Sequence, residues 1–123
     1  MTDPVEVVRD FCAAWAARDQ QRILDAFIDD GVYHNMPLEP AVGKTAIAAL
    51  LGVILGPASE VKFEIKHIVA DGNVVLTERV DRFVINGKPV ELPVMGAFEV
   101  HDGKIAAWRD YFDMATWTRQ TTQ

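Results

Sequence analysis

Residues 74–100, VVLTERVDRFVINGKPVELPVMGAFEV, decide the fold. Asn86-Gly87 lies near the middle. An Asn-Gly pair between two β-rich runs is a strong hairpin signal, because both residues tolerate the positive φ that a two-residue type I′ turn needs. The run before it, Val74–Ile85, is apolar on both faces. Val74, Leu76, Val80 and Val84 share one face; Val75 and Phe83 share the other, with Thr77, Arg79 and Asp81 between them. A sheet wet on one side alternates more cleanly. The pattern predicts a strand covered by helices on one side and, in part, by a second subunit on the other. The run after the turn predicts a strand from about Val90 to Val100.

The same period extends outward. Val61, Phe63, Ile65 and Val69 alternate with Lys62, Glu64 and Lys66, and Asp71-Gly72-Asn73 turns that strand into Val74. Asp102-Gly103 makes a further hairpin into Lys104–Asp113. Four strands joined by tight turns form an antiparallel meander. Upstream the period becomes helical. Asp3 is placed to N-cap a helix, Pro4 suits its first position, and Glu6 falls three residues after the cap. Val5, Val8, Phe11, Cys12, Trp15 and Ala16 then recur at helical spacing. A second helix is expected over Gln20 to Phe27, stopped by Asp30-Gly31. A third, over Lys44 to Leu55 between Gly43 and Gly56-Pro57, is apolar nearly all round and is expected to be buried or to line an apolar pocket. Helices followed by a meander predict an α+β fold, a single domain over residues 1–123, with N-terminal helices on a curved, mainly antiparallel sheet.

Composition sets the outer limits. Of 123 residues 50% are hydrophobic, enough apolar side chain to offset the entropy of ordering one domain. Twelve Lys and Arg against 18 Asp and Glu leave a net charge of −6, which argues against nucleic acid and anionic membranes as partners. The single Cys12 rules out a disulfide within the chain, and no apolar run approaches the ~20 residues of a membrane span. No basic stretch precedes an apolar one at the N-terminus, so no secretory signal is read and a cytoplasmic location is expected.

Three polar groups stand against the apolar pattern. Arg79 and Asp81, two apart on a strand, point to the same face beside Val75 and Phe83. By spacing alone they read as a surface ion pair of small energetic consequence. Asp110 shares its face with Ala106, Trp108 and Phe112, and a carboxylate in an apolar row is costly unless paired. Arg79 is the natural counter-charge if the fold brings the two strands together. Tyr33 and Asn35 share a face if Val32–Met36 is extended; taken alone, they read as turn or core polar residues.

Other signals carry less. Gly43-Lys44-Thr45 resembles the end of a phosphate-binding loop, but Leu38 stands where its first Gly belongs. His34, His67 and His101 match no metal-ligand spacing, and no cofactor is called for. His67 continues the inward face of its strand and reads as a core histidine. The polar tail from Thr116 is expected to fray.

At Tyr33-His34-Asn35-Met36-Pro37, Glu78-Arg79-Val80-Asp81 and Trp108-Arg109-Asp110-Tyr111-Phe112-Asp113, the chain resembles the limonene-1,2-epoxide hydrolases of the NTF2-like and SnoaL-like superfamily. The resemblance implies an Asp-Arg-Asp triad. Asp110 would deprotonate a water held by Tyr33 and Asn35, Asp81 would protonate the epoxide oxygen, and Arg79 would lie between the carboxyls. It also implies a vicinal diol as product. By position, Phe83, Leu92, Val94 and Phe112 are the candidates for lining the substrate pocket, and their apolar side chains imply a small apolar epoxide as substrate. The apolar face of Val74, Leu76, Val80 and Val84 implies a homodimer. Two other functions fit the same shell. One is a ketosteroid-isomerase-like enzyme with Asp110 shuttling a proton; the other is a dimeric carrier of an apolar ligand, with the charges as a structural network.

Overall fold

The computed structural model describes residues 3–122. Among them, four helices and six strands run in the order α1 (Pro4–Ala16), α2 (Gln20–Asp25), β1 (Phe27–Asn35), β2 (Ala41–Val42), α3 (Lys44–Leu55), β3 (Ala58–Asp71), β4 (Val74–Ile85), β5 (Lys88–His101), β6 (Lys104–Tyr111) and α4 (Met114–Thr121). The strands form one sheet in the order β2-β1-β6-β5-β4-β3. The meander β3 to β6 is antiparallel throughout, and β1 joins β6 in parallel, so the sheet is mixed and open. None of the described helices is long and apolar enough to cross a membrane.

The local chemistry read from the sequence is in place. The Asp3 side chain accepts from Val5 N at 3.0 Å, capping α1. Two of the three hairpin turns have two successive positive φ values, 52° and 80° at Asn86-Gly87 and 50° and 79° at Asp102-Gly103, as a type I′ turn demands. Helix α1 lays Phe11, Cys12 and Trp15 on the inner sheet face. Phe11 meets Trp108 edge-on at 4.9 Å and Phe27 at 5.6 Å, so one aromatic cluster locks helix to sheet.

Four expectations are corrected. Helix α2 stops at Asp25, and Phe27 starts a strand; Asp30-Gly31 lies inside β1, in an irregular stretch between Phe27 and Val32 that absorbs the solvated acidic pair. His67 faces solvent, its side chain 80% exposed and paired with Glu78 at 2.9 Å. The cause is a register shift between Ile65 and His67, which reverses the alternation and also turns Val69 outward. The tail forms a capped helix: Asp113 accepts from Ala115 N, and Gln120 bonds both the N–H and the C=O of Glu91, where β5 runs on beyond its pairing with β6. Arg79 and Asp81 are not at the surface; they are 1% and 4% exposed.

Candidate active site

Strand register assembles the site. Parallel pairing of β1 with β6 sets Tyr33 beside Trp108 and Asn35 beside Asp110. Pairing of β6 with β5 sets Asp110 beside Gly96, and β5 with β4 sets Gly96 beside Thr77. One row across the inner face therefore reads Asn35, Asp110, Gly96, Thr77. Arg79 and Asp81 follow along β4, opposite Val94 and Leu92.

The Arg79 guanidinium lies between the two carboxyls with all five N–H groups engaged. Nε donates to Asp81 Oδ1 at 2.9 Å, and Nη2 donates to Asp81 Oδ2 and to Asp110 Oδ2, both at 2.8 Å. Nη1 donates to Asp110 Oδ1 at 3.2 Å and to Thr77 Oγ1 at 3.0 Å. Asp110 Oδ1 also accepts from the Trp108 indole N–H at 2.6 Å. The guanidinium lies 4.9 Å from the Phe63 ring centre, adding a cation–π contact.

Burial and charge act in opposition here. Burial pushes the Asp81 carboxyl up to about 6, while the Arg79 charge and hydrogen bonds pull it down. Burial likewise raises Asp110 against the pull of Arg79 and Trp108. Burial disfavours the Arg79 charge, but Asp110 and Asp81 outweigh it and hold the guanidinium above its ordinary range. One cation cannot fully compensate two desolvated anions, so the pair holds a proton to higher pH than a free carboxyl would. Hydrogen bonding indicates where it sits. Asp110 receives three donors and Asp81 two, which favours an ionised Asp110 and a protonated Asp81. Tyr33 stays neutral: burial first, and then the Asp110 charge, raises its phenol well above the usual range.

Above this floor is a cavity of about 330 Å³. Tyr33, Asn35, Asp81 and Asp110 reach it, and Phe83, Leu92, Val94 and Phe112 are in its wall. Tyr33 is fixed by stacking on Trp108, ring centres 4.2 Å apart and nearly parallel. Leu50 and Ile54 of α3 form part of the wall, in keeping with its apolar surface. Sequence reasoning missed Trp108 as a donor, the Thr77–Gly96 row and the contribution of α4. That helix brings Met114 and Trp117 to the cavity, Trp117 meeting Phe83 edge-on at 5.4 Å. The signal for α4 was present in Asp113, which caps it, and in Trp117, an aromatic residue within a polar run.

An open mixed sheet with helices over one face and a cavity between them is the architecture of NTF2-like and SnoaL-like proteins. An NTF2-like protein from Burkholderia pseudomallei K96243 superposes with a TM-score of 0.87 over 100% of both chains at 19% identity, a likeness of fold alone. The family of the limonene-1,2-epoxide hydrolase catalytic domain matches residues 2–123, and this chain belongs to it. The chain is 41% identical over 109 residues to epoxide hydrolase EphG of Mycobacterium tuberculosis, covering 87% of this chain and 71% of that protein. A solved M. tuberculosis LEH-like epoxide hydrolase superposes with a TM-score of 0.83 at 36% identity, over 95% of this chain and 87% of the other.

Proposed function

We propose that this epoxide hydrolase adds water to a small apolar epoxide in a single step to give a vicinal diol, with Asp110 as base and Asp81 as acid. The observation that carries the reading is the shared guanidinium: two carboxyls on one buried Arg79, one richer in donors than the other, at the floor of an apolar cavity. An epoxide is strained, yet water opens it slowly, because water is a poor nucleophile and the leaving oxygen becomes an alkoxide. One ionised and one protonated carboxyl answer both problems. Asn35, beside Asp110 in the row, and Tyr33, two residues before Asn35 on β1, hold the water. Asp110 takes its proton as oxygen attacks carbon, while Asp81 gives its proton to the ring oxygen. Each transfer is typically worth ~10²–10⁴ in rate. Return of the proton from Asp110 to Asp81 along the Arg79-linked pair restores the starting state. The lining by Phe83, Leu92, Val94 and Phe112 favours an apolar substrate, and a cavity at the lower end of ligand-site sizes favours a small one.

The outer sheet face supports a homodimer. Val74, Val80 and Val84 are half-buried there and Leu76 is exposed, beside an exposed Met95 and Tyr111. A second copy covers this face by the same patch on both subunits. An isomerase reading would leave Arg79 without a task between its two carboxyls. A carrier reading would leave unused a polar floor open to the cavity.

A panel of terpene, styrene and cycloalkene epoxides, assayed for diol formation, tests the activity. Asp110→Asn and Asp81→Asn should each abolish turnover of the best substrate while retaining the wild-type circular dichroism spectrum. Near-normal turnover in either variant would remove that residue from its role.

A further inference from the structure

Strands β4 and β6 are not neighbours; β5 lies between them. Strands stand ~4.8 Å apart, so Arg79 must cross about 10 Å of sheet to reach Asp110. The inner-face position in its way, in register between Thr77 and Asp110, is Gly96. A Cβ at that point would fall against Arg79 Nη1, 2.7 Å from Asp110 Oδ1 and 2.9 Å from Thr77 Oγ1. Gly96 has no positive φ, unlike the turn glycines, so its backbone would suit any residue. What the position requires is empty space, and the guanidinium fills it.

Thr77 completes the arrangement. It is 1% exposed, so bulk water cannot replace its hydroxyl. Its Oγ1 accepts from Arg79 Nη1, and its own proton is directed at Gly96 O, 3.5 Å away. Four of the five acceptors around Arg79 are carboxyl oxygens; the fifth is the Thr77 hydroxyl. The Nη1 group it anchors also makes the longest of the five bonds, 3.2 Å to Asp110 Oδ1. Valine has the same shape and equal β preference, so packing alone does not call for a hydroxyl at this position.

We propose that Gly96 and Thr77 are positioning residues for epoxide opening: Gly96 leaves the gap through which Arg79 reaches Asp110, and the Thr77 hydroxyl holds Nη1 so that the guanidinium fork faces that carboxylate. This rests on the reading of Asp110 as base. Neither residue touches the substrate; both act through Arg79. Loss of the Thr77 acceptor leaves a buried cationic N–H unpaired and lets the fork pivot about Asp81. Asp110 then loses part of its stabilisation as an anion, and the acidic limb of the pH–rate profile moves to higher pH. The titratable groups facing Asp110 are Arg79 and Asp81 of β4, Tyr33 of β1 and Cys12 of α1. Burial raises Tyr33 and takes Cys12 to about 12, so neither changes charge in this range.

The test compares Thr77→Val, Thr77→Ser and Gly96→Ala with wild type and Asp110→Asn, on the best epoxide of the panel, measuring kcat and KM from pH 5 to 9. Thr77→Val should lose about 10- to 100-fold in kcat, the scale of a small misplacement of a catalytic group, with KM within about threefold. Its acidic limb should move upward, and Thr77→Ser should restore both rate and limb. Gly96→Ala should lose more than Thr77→Val; if it does not fold, the threonine pair decides. Wild-type kcat and profile in Thr77→Val, or equal losses in Val and Ser, would overturn the positioning role while an inactive Asp110→Asn leaves the parent mechanism standing. An active Asp110→Asn would overturn the mechanism itself.

Discussion

Asp81→Asn should make the protein inactive and remove a loss of stability that the wild type suffers as pH rises from about 4 to 6. In the folded chain the carboxyl is pushed from 3.8 to about 6, chiefly by burial. A raised folded pKa means that the native state binds more protons than the unfolded state between those values. The slope of unfolding free energy with pH is therefore negative in that window. Below about pH 4 the carboxyl is protonated in both states and the effect is absent; above about pH 6 it is ionised in both and the loss is complete. At about 1.4 kcal/mol per pKa unit, the loss is about 3 kcal/mol, a sizeable part of a small domain's stability. An amide cannot ionise, so the variant should lack this loss. Urea unfolding followed by tryptophan fluorescence, at one fixed protein concentration and from pH 4 to 8, gives both curves. Glu64 and Asp113, whose carboxyls are pulled down by their partners, contribute the opposite slope, but in both proteins alike. Subtracting the variant from wild type should give a difference that falls by about 3 kcal/mol between pH 4 and 6.5 and is level above. Parallel curves would refute a shared, burial-raised proton.

Arg79→Lys keeps the charge but loses the planar fork that bonds both carboxyls, so kcat should fall at least about 100-fold and the bell-shaped pH–rate profile should narrow or shift. An unchanged rate and profile would return Arg79 to a structural ion pair. Val80→Glu sets a charge against its symmetry mate on the outer sheet face and should weaken the dimer in light scattering. A wild type that is monomeric at micromolar concentration would reject that interface.

The features legible in the sequence are those set by near neighbours. Asn86-Gly87 and Asp102-Gly103 specify their turns by backbone preference, and Asp3-Pro4 specifies the start of α1. Arg79 and Asp81 could be placed on one face because a strand has period two. The unread features depend on register or irregularity. One shift in β3 turns His67 and Val69 outward, and nothing in the alternation of that strand marks where it falls. The bulged part of β1 hides behind Asp30-Gly31, which locally reads as a helix stop. Gly96 and Thr77 look like ordinary strand residues until β5 is placed between β4 and β6. Trp108 reads as core and is core, fully buried; its indole N–H acquires a second task only because the bond to Asp110 closes within one strand face. The polar composition of α4 conceals that its tie to β5 runs through a glutamine side chain, and that one aromatic, Trp117, reaches the cavity.

Whether water itself attacks the epoxide is settled most directly by a single turnover in ¹⁸O-water, with enzyme in excess over the best substrate of the panel. Direct attack by a water deprotonated at Asp110 places one ¹⁸O atom in every diol formed in that first turnover. Attack by Asp110 as a nucleophile would form an ester whose hydrolysis delivers an enzyme carboxylate oxygen instead. Unlabelled diol in the first turnover, with ¹⁸O left in Asp110, would contradict the one-step mechanism.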